Sequence, residues 1–111
     1  MKKFNLDKMT KGWFVGDFEP TVIRTTDCEV GVKRYQLGDK ESAHFHKEAI
    51  ELTIVIEGRI RMNELEFSKG DIVLVEQNEV IEFQAMENSI TVVYKSGSFK
   101  GDKYLVDNHF G

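Results

Sequence analysis

The stretch "GDKESAHFHKEAIELTIVIEG", Gly38 to Gly58, decides how the rest of the chain is read. It sets His44 and His46 one residue apart and places Glu51 five residues after the second histidine. On a strand, residues i and i+2 face the same way, so the two imidazoles project together while Ala43 and Phe45 point to the other side. Glu51 has the opposite parity and cannot share that face within one uninterrupted strand. The intervening "KEAI" is therefore expected to turn or bulge, returning a strand on which Glu51, Thr53 and Val55 face inward. Leu52, Ile54 and Ile56 then form a second apolar face, and a strand apolar on both faces is a buried one. One face is expected to line a barrel, and the other to lie under a second sheet or a second subunit.

Outward from this stretch, the chain beyond Glu29 reads as short β-branched and aromatic segments: "EVGVKRYQL", "RIRM", "LEF", "DIVLV", "VIEF" and "SITVVYK". Gly, Asn, Asp and Ser punctuate them, as turns require. Ile60 and Met62 alternate with Arg59 and Arg61, the period of a strand with one buried and one wet face. "RIRMNELEF" predicts a hairpin turning at Asn63-Glu64, because Asn tolerates the left-handed backbone of such turns. So many short strands in so short a chain predict an all-β fold, a sandwich or small barrel whose interior is filled or holds a ligand. The upstream "KGWFVGDFEP" gathers Trp13, Phe14 and Phe18 around two glycines, and is read as an edge strand packing on the barrel or on a partner subunit rather than as an aromatic ligand site.

The 111 residues suit one domain with a substantial core. The single cysteine, Cys28, has no partner for an internal disulfide, and the opening "MKKFNLDKMTKGW" lacks the apolar run of a secretory signal. A reducing, cytoplasmic setting is the expectation. Apolar runs such as Ile72 to Val75 fall far short of the ~20 residues that span a bilayer, so no membrane association is expected. Net charge is −4, and seven acidic residues between Asn63 and Glu87 face one basic residue, Lys69. Such a distribution repels a phosphate backbone and argues against nucleic acid as a partner; its plain reading is a solvated acidic face.

Two neutral imidazoles and a carboxylate converging inside a barrel suit Fe(II), Mn(II), Zn(II) or Ni(II), with open positions for substrate. The same trio without metal can use one histidine as a general base. A bare His-x-His pair is common, and its plain reading is two strand histidines hydrogen-bonded to neighbours. The flanking spacing is more specific. Gly38, His44, His46, Glu51 and Gly58 fall at every fixed place of the first motif of the cupin superfamily, G-x5-H-x-H-x4-E-x6-G, which this stretch resembles. The second motif, G-x5-P-x-G-x2-H-x3-N, begins at Gly70, but Glu76 stands for the proline, Asn78 for the glycine, Ile81 for the histidine and Ala85 for the asparagine.

The resemblance covers about residues 29–96 and implies a cupin-type small β-barrel or double-stranded jelly roll, usually dimeric, with its site inside. Residues 1–28 are then an N-terminal strand or arm on the barrel or on a partner, and 97–111 a C-terminal tail along the outside, in which His109 is an exposed bystander. Metal-binding cupins use the second-motif histidine as a fourth ligand. With Ile81 there, His44, His46 and Glu51 carry over as a three-residue metal set, and of the nearby carboxylates Glu79 shares the strand parity of Ile81 while Glu82 does not.

"GVKRYQLGDKESAHFHK" also resembles the sugar-nucleotide isomerase and epimerase branch of cupins, in which a tyrosine and two histidines move protons on a keto-sugar without metal. Tyr35, His44 and His46 are the matching catalytic residues. The arginine of that branch is replaced by Lys40, Glu41 and Ser42. Whether Tyr35 and Lys33, or instead Arg34 and Gln36, line the pocket turns on a strand parity that spacing leaves open. "KGWFVGDFEPTVIRT" and "SGSFKGDKYLV" resemble small stand-alone bacterial or phage cupins. The expected function is a homodimeric cupin whose His44/His46/Glu51 pocket binds a small polar ligand, either as a divalent-metal oxygenase or isomerase, as a metal-free isomerase, or as a non-catalytic binding protein.

Overall fold

The computed structural model describes residues 1–106 and places the strands in two five-stranded antiparallel sheets. His109 lies outside the described residues. In chain order the strands are β1 (Trp13–Val15), β2 (Glu29–Tyr35), β3 (Lys40–His46), β4 (Glu51–Glu57) and β5 (Arg59–Met62). They continue as β6 (Leu65–Ser68), β7 (Ile72–Val75), β8 (Ile81–Ala85), β9 (Ser89–Lys95) and β10 (Lys103–Leu105). Among the described residues the only helical piece is one 3-10 turn, Leu6–Lys8. One sheet runs β1-β2-β9-β4-β7 and the other β10-β3-β8-β5-β6, so that strands adjacent in sequence alternate repeatedly between the two.

Turn chemistry falls where the punctuation predicts. Met62 pairs with Leu65 across a two-residue turn, with Asn63 at φ +54°. Gly38, Gly58 and Gly70 all adopt positive φ, a conformation that costs a side chain strain. Gly58 is additionally pressed against the Asn88 carbonyl and Ser89, leaving no room for a Cβ. Asn78 takes φ +64°, which explains how it serves in place of a glycine, and its amide donates to the His46 carbonyl at 2.7 Å.

The inner faces meet in a core of Val55, Ile60, Met62, Val75, Ile81, Phe83 and Ala85, against which Tyr35, Phe67 and Val73 pack. Ile81 is opposite His44 in the β3–β8 ladder, yet belongs to this apolar cluster. The core fills one end of the sandwich, and the polar cavity described below takes the other.

Of the two covers expected for the outer face of β4, a second sheet is absent among the described residues. Thr53 and Val55 are buried, as the alternation requires, but β4 is not buried on both faces. Leu52 and Ile56 are 38% and 41% exposed, and on the neighbouring β7 Ile72 and Leu74 reach 64% and 54%. The two sheets spend their inner faces on each other, so among the described residues no layer remains to cover this outer one. The seven acidic residues between Asn63 and Glu87 are all exposed, the solvated face that composition suggests. No helix among the described residues is long and apolar enough to cross a membrane.

Candidate functional site

His44 and His46 enter the site from β3, with ring centroids 5.5 Å apart and planes at 84°. Both are buried, at 3% and 5% exposure. A bulge between Glu41 and His44 shifts the register with β8, so Ala43 is buried too, while Phe45 turns outward to stack on Tyr104 of β10 at 5.3 Å. The His44 Nδ1 lies 2.8 Å from the Ser42 carbonyl oxygen. A carbonyl can only accept, so Nδ1 carries the hydrogen and Nε2 is left with the lone pair whenever the ring is neutral.

Residues 47–50 make the turn that the parity of Glu51 demands, and a distant side chain holds it. The Asp102 carboxylate accepts the amides of Lys47 and Glu48 through Oδ1 at 3.0 and 3.1 Å, and that of Ala49 through Oδ2 at 3.0 Å. Burial pushes this acid up, but the hydrogen bonds from the Ala49, Glu48 and Lys47 amides more than offset it and hold its pKa below the ordinary value. The segment read as a tail thus anchors the loop between the histidine strand and the glutamate strand. Just beyond, β10 adds an edge to the second sheet, with Lys103 opposite His46.

Glu51 then points inward from β4, and its Oε2 lies 3.6 Å from the His46 Nδ1. Burial, with help from Lys95 and His44, lowers the His46 pKa to about 4, so near pH 7 the ring is neutral and this contact is not an ion pair. Burial raises the Glu51 carboxyl above its ordinary value, opposed by Lys95 and His44. The His46 Nε2 is buried without a hydrogen-bond partner, an orphan in a pocket otherwise rich in polar groups.

The open parity question resolves toward Tyr35. It pairs with Ser89 across β2–β9 and faces in, as Lys33 does, while Arg34 and Gln36 are exposed. The Tyr35 ring packs on Phe83 at 4.4 Å and its hydroxyl donates to Glu41 Oε1 at 3.4 Å. Burial first, then Glu41 and Glu51, raises the phenol pKa and keeps it protonated.

Tyr35, His44, His46 and Glu51 line one cavity of about 310 Å³, the lower end of the range of small-molecule sites. Of the rest of its wall, sequence reasoning offered Lys33 beside Tyr35 and set Trp13 aside, and it missed Lys11, Val93, Lys95 and Lys103. Trp13 closes one side: it is on an edge strand as expected, but it also faces the cavity, its ring lying on Gly31 where a Cβ would collide with it. Lys11, Lys33, Lys95 and Lys103 complete the lining with Glu41. The available signal was parity, since Lys33 shares the face of Tyr35 and Lys95 is opposite Glu51. Glu79 and Glu82 do not reach this cavity: both are exposed, and Glu79 accepts from the Glu76 amide at 3.1 Å. Two neutral imidazoles and a carboxylate are good donors for a divalent metal. As placed, no three His, Cys, Asp or Glu side chains among the described residues converge closely enough to grip one.

No protein-family model matches the chain, and no curated protein does. Solved structures do match. A double-stranded β-helix protein from Klebsiella pneumoniae superposes with TM-score 0.69 at 21% identity, covering 78% of this chain and 76% of that one. A sugar phosphate isomerase of the cupin superfamily from Silicibacter pomeroyi gives TM-score 0.60 at 20% identity, covering 66% and 52%. The chain has the cupin fold. A third cupin-fold neighbour, the pirin YhhW of Escherichia coli in complex with nickel(II), gives TM-score 0.66 at 14% identity over 79% of this chain and 39% of that one. At such identities the likeness extends to the fold; what this chain does rests on its own cavity.

Proposed function

We propose that the cavity binds a small polar metabolite carrying a carbonyl beside a hydroxylated carbon, and that Tyr35 and His44 move a proton on it, as in an isomerase or epimerase. The observation that carries this reading is the pairing, in one cavity, of a phenol held protonated with an imidazole whose Nδ1 is fixed on the Ser42 carbonyl. Tyr35 turns its single O–H from the long 3.4 Å contact with Glu41 to the carbonyl oxygen as negative charge develops there. His44 Nε2 accepts the proton from the adjacent carbon, since a general base needs a free lone pair held in a fixed direction. His46, neutral and buried, orients the substrate through hydrogen bonding beside Glu51.

The test is deuterium wash-in. Keto- and aldo-sugars, free and as nucleotide-sugars, are incubated with the protein in D2O and metal-depleted buffer, and exchange next to the carbonyl is followed by proton NMR. Wild type exchanges at least one substrate, and His44→Ala and Tyr35→Phe lower the rate by ~100-fold or more. A folded wild-type protein that exchanges none of them sinks the reading.

A second reading has its own support, the unpartnered His46 Nε2. In it, His44, His46 and Glu51 would have to close in from where they lie to hold a divalent Fe, Mn, Zn or Ni, which would polarise the carbonyl of the bound molecule. Metal analysis of untagged protein, reconstituted with each ion, decides it: equal metal content in wild type, His44→Ala and Glu51→Ala rules it out. Under either reading we place a second copy of the chain on the uncovered outer face of β4 and β7, making a homodimer and withdrawing Leu52, Ile72 and Leu74 from water.

A further inference from the structure

We propose that Lys33 and Lys95, gathered at the Trp13 ring, form a seat for an anionic group, so that the ligand is a carboxylate- or phosphate-bearing metabolite rather than a neutral one. The inference deepens the reading of the cavity as a ligand site and rests on it.

The charge balance is the first support. The chain is net −4, yet the cavity wall carries four lysines against Glu41 and Glu51. A concave site of one sign inside a protein of the other concentrates ligands of opposite charge. The two carboxylates do not neutralise the lysines as a set. Two carboxylates leave two of the four lysine charges in the lining unbalanced.

The lysines are also placed for a ligand rather than for each other. The Lys33 Nζ lies 5.4 Å from the Trp13 ring centroid, and the Lys95 Nζ 5.0 Å. An ammonium over an indole is held by the ring quadrupole, which fixes its position without using its hydrogens. Lys33 donates one hydrogen bond, to the Lys11 carbonyl at 3.1 Å, of the three an ammonium can make. Among the described residues the one carboxylate within 4 Å of the Lys95 ammonium is Glu29, at 3.9 Å, and Glu29 already accepts from Ser98 at 2.6 Å. Lys103, opposite His46, adds a third cation to the same wall. Two half-buried ammoniums with donors to spare describe a site that lacks its acceptor.

Trp13 is the chain's only tryptophan, so its fluorescence reports on this seat alone. The experiment titrates wild type with sodium phosphate, sodium glucuronate and glucose, and with sodium chloride at matched ionic strength. At least one of the two anions is expected to give a saturable change, with glucose and chloride silent. Lys33→Gln and Lys95→Gln weaken that binding at least tenfold, and Lys95→Arg, which keeps the charge, stays within a few-fold of wild type. A titration that never saturates, a chloride response equal to the anions', or unaltered affinity in both glutamine variants overturns the proposal. Should a variant fail to fold, the contrast between anions and glucose on wild type still decides it. Anion binding needs no proton transfer. Saturable anion binding without deuterium exchange therefore overturns the proton-transfer reading alone, and exchange of neutral sugars with a flat anion titration overturns this one alone.

Discussion

Asp102 and Ala49, 53 residues apart in sequence, are joined by a buried hydrogen bond of 3.0 Å from the Ala49 amide to the Asp102 carboxylate. With the bonds to Lys47 and Glu48, it sets the turn that brings Glu51 back to the histidines. Asp102→Ala leaves the buried Ala49 amide unpaired and loosens the turn, for an expected loss of about 3 kcal/mol in urea denaturation. Because the folded-state pKa of Asp102 is depressed, its ionisation stabilises the fold above the ordinary carboxylate pKa of 3.8. That contribution is lost as pH falls through the lower folded value, and Asp102→Ala flattens this acid limb of the stability curve.

His46 gives a second pH signature, read on metal-depleted protein. Its pKa falls from 6.5 to about 4 on folding, so between those values the unfolded chain binds the extra proton. Stability therefore declines as pH drops from 6.5 toward 4, by an amount on the order of 2 kcal/mol. Replacing His46 with Gln removes this component, and a midpoint that stays equally pH-dependent in the variant contradicts the burial-driven shift.

Gly31→Ala tests the seating of Trp13. A Cβ at residue 31 would come within 2.7 Å of the indole, so the ring must move. The expected outcome is a shifted fluorescence maximum and an anion affinity at least several-fold weaker, with a stability loss of about 1–2 kcal/mol from the displaced ring.

The outer face of β4 and β7 makes the fourth prediction. If a second copy covers it, Ile72→Lys combined with Leu74→Lys puts two charges into the interface, and light scattering coupled to size exclusion reports a monomer in place of a dimer. Both residues are exposed in the single chain, so the double variant keeps its fold, and a wild-type monomer refutes the expectation.

What the sequence made legible was local. Period-two alternation marks the strands, Asn63 marks its hairpin, and the parity of Glu51 demands the turn at 47–50. What it left open needed pairing partners. Whether Tyr35 or Arg34 faces inward depends on β2 lying beside β9, and spacing within β2 cannot tell. Lys95 and Lys103 meet Trp13, from the far end of the chain, only when the sheets close. Asp102 carries no signal in the sequence because its work is done on amides, which carry no side-chain signature. The doubly apolar β4 suggested a covered strand, but apolarity says that a face avoids water without saying which chain covers it.

The arrangement of strands gives the cavity two parts of unequal permanence. Tyr35, His44, His46, Glu51 and Lys95 sit on β2, β3, β4 and β9, each paired on both sides. Trp13 and Lys103 sit on β1 and β10, three-residue strands at the outer edge of each sheet. Short edge strands are the least protected against local opening. Trp13 and Lys103 thus stand on the strands of the site that open most readily, while Tyr35, Glu51 and Lys95 stand on strands held from both sides.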